Sequence, residues 1–172
     1  MVFGGYLGAT ILGLVVGPAS RGFRPELARV SALAAYAVAA GLLGALVAEP
    51  VLHALSDHFL ALAGVGMPVV FAAGVATEAL QALFGIAGTG IALLALIILG
   101  NPATGVAFSP AMLPGFWRAI GFWLPPGAGV RAETGAVYFQ GHATLGSLAV
   151  LAVYAGVGTA AALVMAGRRR AP

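Results

Sequence analysis

Long apolar runs alternate along this chain with short clusters of glycine, proline and charge. A helix crosses roughly 30 Å of hydrocarbon with about 20 apolar residues, so the runs can be measured against that length. Five of them qualify as predicted spans: 2–17, 30–48, 59–84, 87–100 and 145–166. The first stops at Gly17-Pro18, and the second at Glu49-Pro50. The third carries Pro68 as a kink point, and Gly85 to Gly88 marks a tight turn before the fourth, which stops at Asn101-Pro102. Between the first two spans lies a polar stretch, Ser20 to Arg29. There Pro25 suits a first helical position and Glu26 complements a helix N-terminus. Val51 to His58 is a short mixed segment suited to the interface. From 101 to 144 the pattern breaks into proline- and glycine-punctuated text, with Phe116, Trp117, Phe122 and Trp123 set around Arg118. Tryptophan at this density beside a span belongs at the headgroup level, so 101–144 reads as an external interfacial or re-entrant segment.

Composition agrees with this pattern. Of 172 residues 61% are apolar and 8% charged, with a mean hydropathy of +1.04. A soluble domain carries about 25% charged residues, and there is too little polar surface here to cover a globule in water. The expectation is an all-α, polytopic membrane protein folded as one transmembrane domain over 1–172, with the lipid bilayer as its first partner. With no cysteine, there is no disulfide framework, thiol nucleophile or cysteine metal site. The apolar N-terminus lacks the basic start of a cleavable signal peptide. The Ala- and Gly-rich, lysine-free composition suits a bacterium of high GC content.

All eight basic residues are arginine, and their positions set an orientation. With Arg168 to Arg170 cytoplasmic, five spans place the N-terminus outside and the Ser20–Arg29 stretch inside. Six of the eight arginines then lie inside, against two in the opposite arrangement. The expected location is the plasma membrane, multi-pass, with the C-terminus cytoplasmic. Arginine clusters flanking spans read as topology signals and headgroup contacts. A net charge of +3 spread over five helices is not a nucleic-acid patch. The second span also carries small residues at Ala37, Gly41 and Ala45 and at Ala40, Gly44 and Ala48. This spacing lets helix backbones approach, and it also arises from alanine-rich composition alone. No internal repeat supports an inverted-repeat transporter.

Candidate chemistry is sparse. Glu78 is the one acid well inside a predicted span, with Thr77 and Gln81 beside it. An ionisable group within a bilayer helix is costly and so a candidate for function. It lies about 9 Å from the cytoplasmic end of its span, within reach of an arginine from the Ser20–Arg29 stretch. Glu78 and Gln81 thus form a candidate intramembrane polar site, either a structural pair or part of a gate or polar path. His53 and Asp57 share a helical face and His142 falls on the same side, but a metal centre there competes with ordinary solvated residues. His58 belongs to the same outer cluster. No metal ligand set is assigned. Ser31, Ser56, Ser109 and Ser147 lie outside any Gly-x-Ser-x-Gly elbow and no histidine lies in a span, so no catalytic residue is assigned and an enzyme is not expected.

Three stretches resemble a known group: Leu-Gly-Asn-Pro (99–102), Leu-Pro-Gly-Phe-Trp-Arg-Ala-Ile-Gly-Phe-Trp-Leu-Pro-Pro-Gly-Ala-Gly (113–129) and Val-Tyr-Phe (137–139). They are similar to the C-terminal membrane region of actinobacterial type-2 ABC-transporter-permease-like proteins, including the YhgE/Pip relatives, and Phe-Gly-Gly-Tyr-Leu-Gly (3–8) is similar to the start of their second span. Such permeases have six helices. This chain matches the last five, without the first span or an ectodomain. The resemblance implies a permease subunit of an exporter moving an amphipathic substrate. ATP would be hydrolysed on a separate ATPase subunit, since the chain has no GxxxxGK[ST] loop and no cofactor of its own. It further implies a coupling segment containing Arg21, Arg24, Glu26 and Arg29, and an external gate from Phe116, Trp117, Arg118 and Trp123. A homodimer or heterodimer suits a chain without a central polar pore. The alternative within the same group is a non-transporting membrane scaffold or surface-receptor anchor.

Overall fold

The computed structural model describes residues 1–18, 20, 22–48, 58–105, 112, 114–139 and 144–169. Everything structured among them is helical. The elements are α1 (Val2–Val16), α2 (Phe23–Leu46), α3 (Phe59–Phe84), α4 (Ile86–Ala92), a π-helical stretch (Leu93–Leu99), α5 (Gly100–Ala103), α6 (Gly115–Trp123), α7 (Pro125–Tyr138) and α8 (Thr144–Arg168). Three of these helices, α2, α3 and α8, are long and apolar enough to cross a membrane. Helix α1 and the run 86–102 are apolar but shorter. The all-α expectation stands in this coarser form.

Helix α3 is the axis, with its residues buried on nearly every side, as a helix apolar all round requires. Paired positions give the direction of each neighbour. Gly5 of α1 meets Val70 and Gly13 meets Gln81, so α1 runs parallel to α3. Gly41 of α2 meets Met67 and Gly74 of α3 meets Leu33, so α2 runs antiparallel. Gly158 of α8 packs on Val75, while Val150 and Leu151 join Val65, Val69 and Ala72, so α8 is again parallel. Gly88 at the start of α4 lies against Leu80, and the run from α4 to α5 returns antiparallel until Gly100 meets Pro126. Thus α1 and α8 lie parallel to α3, and α2 and the run from α4 to α5 lie antiparallel to it.

Glycines make several of these approaches possible. A Cβ on Gly5 would stand 2.2 Å from the Val70 carbonyl oxygen, and one on Gly88 2.1 Å from that of Leu80. No side chain fits there, so the two backbones touch directly. The small-residue row Ala37, Gly41, Ala45 of α2 is buried inside the chain, with Gly41 against Met67 of α3. Its close packing is intramolecular. Gly44, in the second row, meets Met1.

Two boundaries differ from the sequence reading. Helix α2 starts at Phe23, two turns before the predicted 30, because Gly22 at φ 117 supplies the entry turn and Pro25 and Glu26 favour a first turn. The segment 101–144 contains two ordered helices in antiparallel contact. Helix α6 ends at Leu124, whose extended backbone leads into Pro125 and Pro126 at the start of α7. Gly129 of α7 lies against Val69, about 15 Å along a helix about 39 Å long. Val137, near its other end, packs with Leu62 and Ala63. The buried face of α7 is made of Gly127, Ala128, Gly129, Ala132 and Gly135, small enough to slot between α3 and α8. The helix runs on through Pro68 in α3.

Candidate functional site

The polar residues of the bundle gather at one end, where α1, α3 and α8 finish and α2 and α4 begin. Glu26 and Arg29 are one turn apart at the start of α2 and both turn inward, 2% and 5% exposed. Glu78 and Gln81 stand three apart near the end of α3, each 1% exposed. Arg29 Nε faces Glu78 Oε1 at 3.5 Å, and its Nη1 donates to the Gly17 carbonyl at 2.5 Å. One guanidinium thus ties α2 to α3 and to the end of α1. Gln81 Nε2 donates to Thr89 Oγ1 of α4 at 3.1 Å, and Thr77 Oγ1 bonds back to the Ala73 carbonyl at 2.8 Å. The reach from an arginine of the 20–29 stretch to Glu78 is present, and Arg29 makes it.

The helix ends around this cluster are fastened by arginine and backbone. Arg169 Nη2 donates to the Ala82 carbonyl at 2.6 Å, and the Gly22 N–H donates to the Ala166 carbonyl at 3.2 Å. Both bonds satisfy carbonyls that a helix end leaves open. Three oxygens in the cluster nonetheless stay buried without a hydrogen-bond partner among the described residues: Glu26 Oε2, Glu78 Oε2 and Gln81 Oε1. Glu26 sits one turn before Arg29 on the same inward side of α2, and Arg29 reaches Glu78. Two carboxylates, one guanidinium and an unmet amide oxygen are enclosed together.

Other candidates divide. Arg24 is exposed on the first turn of α2, and Arg21 lies outside the described residues. Of the coupling candidates, Glu26 and Arg29 are built into the bundle, so Arg24 is left on its surface. Phe116 and Trp123 are exposed on α6 and Trp117 is half-buried; Phe116 meets Trp117 edge-on at 5.6 Å, as Phe122 meets Trp123 at 5.2 Å. Arg118 is exposed on the same helix. His53, Asp57, His142, Ser56 and Ser109 lie outside the described residues. His58 is described and accepts at its carbonyl from the Leu62 N–H. Ser31 bonds the Ala28 carbonyl, and Ser147 is buried in α8. Among the described residues no group of three metal-ligating side chains forms.

Sequence reading missed Arg131. Its Nη2 donates to the Gly121 carbonyl at 2.6 Å and its guanidinium lies 4.6 Å from the Phe122 ring centre, closing α6 onto α7. Burial pulls its pKa below the usual arginine value, and burial likewise pushes the Glu133 carboxyl up, against the pull of the amino-terminal charge. An arginine just after a Pro-Pro-Gly turn was the available signal. A second missed feature is an apolar cleft of about 480 Å³ between α3, the π-helical stretch and α8, lined among others by Ala79, Leu96, Leu124, Val157 and Ala161. Comparison with protein-family models, with curated proteins and with solved structures gives no match to this chain.

Proposed function

We propose that this chain is the membrane-spanning permease subunit of a type-2 ABC exporter-like system. Five crossings are made by α1, α2, α3, the run 86–103 and α8, and α6 and α7 form a re-entrant hairpin on the outer side. The observation that carries this reading is the hairpin. Its two helices are short, and α7 runs from Gly129 against Val69 to Val137 beside Leu62, back toward the start of α3. Backbone that turns inside hydrocarbon must be covered by protein, and α3 and α8 cover α7.

The orientation follows from charge. Arg24, Arg29, Arg168 and Arg169 belong to the end where α2 begins and α8 finishes, while Arg118 and Arg131 belong to the hairpin. The arginine-rich end is cytoplasmic in a plasma membrane, and the N-terminus is external. The cargo is amphipathic, in keeping with the apolar cleft beside α8, and enters from or leaves into lipid. The chain catalyses no reaction and binds no cofactor, and ATP is hydrolysed by a separate subunit that docks near Arg24. A dimer of such chains forms the path.

A second reading within the same resemblance, a membrane scaffold or surface-receptor anchor, is favoured by one observation. Glu26 and Arg29 face inward, which leaves a docking surface poor in charge. Purification of the full chain in mild detergent separates the two. Co-elution of an ATPase whose turnover rises with the chain supports transport, and Arg24→Glu should abolish that rise. Repeated isolation without an ATPase supports the scaffold.

A further inference from the structure

The enclosed cluster at the inner end is out of balance. Glu26, Arg29 and Glu78, all ionised, leave one uncompensated negative charge at a place where each is at most 5% exposed. An unpaired charge so placed is expensive, and it is relieved by gaining a counter-charge or losing its own. Arg29 serves one carboxylate, Glu78, through its Nε, and commits Nη1 to the Gly17 carbonyl. Two buried carboxylate oxygens, Glu26 Oε2 and Glu78 Oε2, have no donor among the described residues, nor does the amide oxygen of Gln81, whose Nε2 is fixed on Thr89. Among the described residues, what the cluster lacks is one positive charge and a hydrogen-bond donor.

We propose that the buried cluster of Glu26, Arg29 and Glu78, two carboxylates against one guanidinium, takes up one exchangeable proton, so that the inner end of the bundle is a proton-binding site. A single proton supplies both missing quantities, because a carboxyl O–H is neutral and donates. Loading forms one O–H bond on a carboxylate oxygen with a proton taken from water at the inner face, and unloading returns it. No other bond changes. Glu26 sits on the first turn of α2, at the rim of the bundle, which gives the proton its entry.

Among the described residues the surroundings confine the charge to this cluster. Helix α3 carries no second ionisable side chain, α4 carries none, and the one on α1, Tyr6, lies in the half of that helix near Val70 rather than Gln81. From α8 come Arg168, which is exposed, and Arg169, which is held by the Ala82 carbonyl. On α2 itself Arg24 points to the surface. With the proton present, Arg29 and one carboxylate form a neutral pair and α2 stays fastened to α3. Without it, the like charges of Glu26 and Glu78 push the same two helices apart. The site thus couples proton occupancy to the α2–α3 contact. It goes beyond transport and does not require it, since the test reads a proton rather than cargo or ATP.

Infrared difference spectroscopy of the full chain in lipid nanodiscs, between neutral and alkaline pH, provides that test. The carbonyl stretch of a protonated carboxyl should be present at neutral pH, shift in heavy water and disappear on alkalinisation. Glu26→Gln and Glu78→Gln should each abolish it, because either leaves a single carboxylate opposite Arg29. Glu133→Gln, altering the half-buried acid of α7, should leave it intact. Should Glu78→Gln fail to fold, Glu26→Gln decides alone, since it keeps the Arg29–Glu78 pair. The proposal is overturned if no such band exists in the wild type, if the band survives Glu26→Gln, or if sodium or potassium at fixed pH removes it and so identifies a metal-cation site.

Discussion

The two ends of the bundle are held by different means. At the end where α2 begins, the inner one on the proposed reading, charge and backbone carbonyls do the fastening: Arg29 spans three helices, and Arg169 and the Gly22 N–H close the ends of α3 and α8. In the outer half the contacts are small-residue surfaces and rings, with α7 laid between α3 and α8 on glycine and alanine and α6 carrying aromatic side chains outward. Lipid explains the contrast. With hydrocarbon as solvent, apolar contact gives helices no hydrophobic drive to associate, so close backbone fit and the satisfaction of polar groups hold them instead. The outer half relies on fit and the inner end on satisfaction. Damage to the two should therefore look different.

The largest effect is expected from Arg29→Ala. It leaves Glu78 buried without its guanidinium, and removing one partner of a buried pair costs about 3–5 kcal/mol. Both tryptophans of the chain lie on α6, so intrinsic fluorescence reports only the outer region. Thermal melts followed by tryptophan emission should still move sharply downward if the bundle unfolds as one unit. An unmoved tryptophan transition alongside a lowered helix signal would show two regions melting apart. The double variant Arg29→Met with Glu78→Gln should recover much of the loss, because it removes both charges instead of stranding one.

Gly127→Ala strikes the other kind of contact. Its Cβ would stand 1.9 Å from the Gly121 carbonyl oxygen, so α6 and α7 cannot close at their present distance. Overpacking of this sort costs about 1–3 kcal/mol. The tryptophan spectrum should change already in the folded state, since α6 must swing away, while the inner end keeps its geometry. An unaltered spectrum and melting point would mean that the hairpin does not depend on this contact.

How much of this was legible in advance follows the same division. Helix positions were readable because apolar runs and their Gly and Pro stops act locally, and 59–84 coincides with α3 at both ends. Glu78 was readable because a lone acid within an apolar run stands out, and proximity in the topology made an arginine of the 20–29 stretch a candidate partner without saying which. The inward turn of Glu26 was not, since a carboxylate in a first helical turn fits the surface equally well and only the packing of α2 on α3 chooses. The path of α6 and α7 was hidden for another reason. Their sequence is short, glycine-rich and aromatic, and the same residues suit a helix lying on the membrane or one dipping into it. The packing of α7 on α3 comes from its small-residue face meeting Val69, a contact 60 residues apart in sequence that no local pattern encodes.

The smallest expected effect sharpens the contrast most. Phe122 lies under the Arg131 guanidinium at 4.6 Å, while the same arginine donates to the Gly121 carbonyl at 2.6 Å. In Phe122→Leu the hydrogen bond stays and the ring goes, which should cost about 0.5–2 kcal/mol, the higher value applying where the cation is screened from water. Because Phe122 also meets Trp123 edge-on at 5.2 Å, the tryptophan environment should shift with it. Arg131→Lys should cost more than Phe122→Leu, for an ammonium cannot both stack on the ring and reach the carbonyl as a planar guanidinium does. The reverse order, with the ring worth more than the arginine's geometry, would make the outer half a purely aromatic assembly with no polar clasp between α6 and α7.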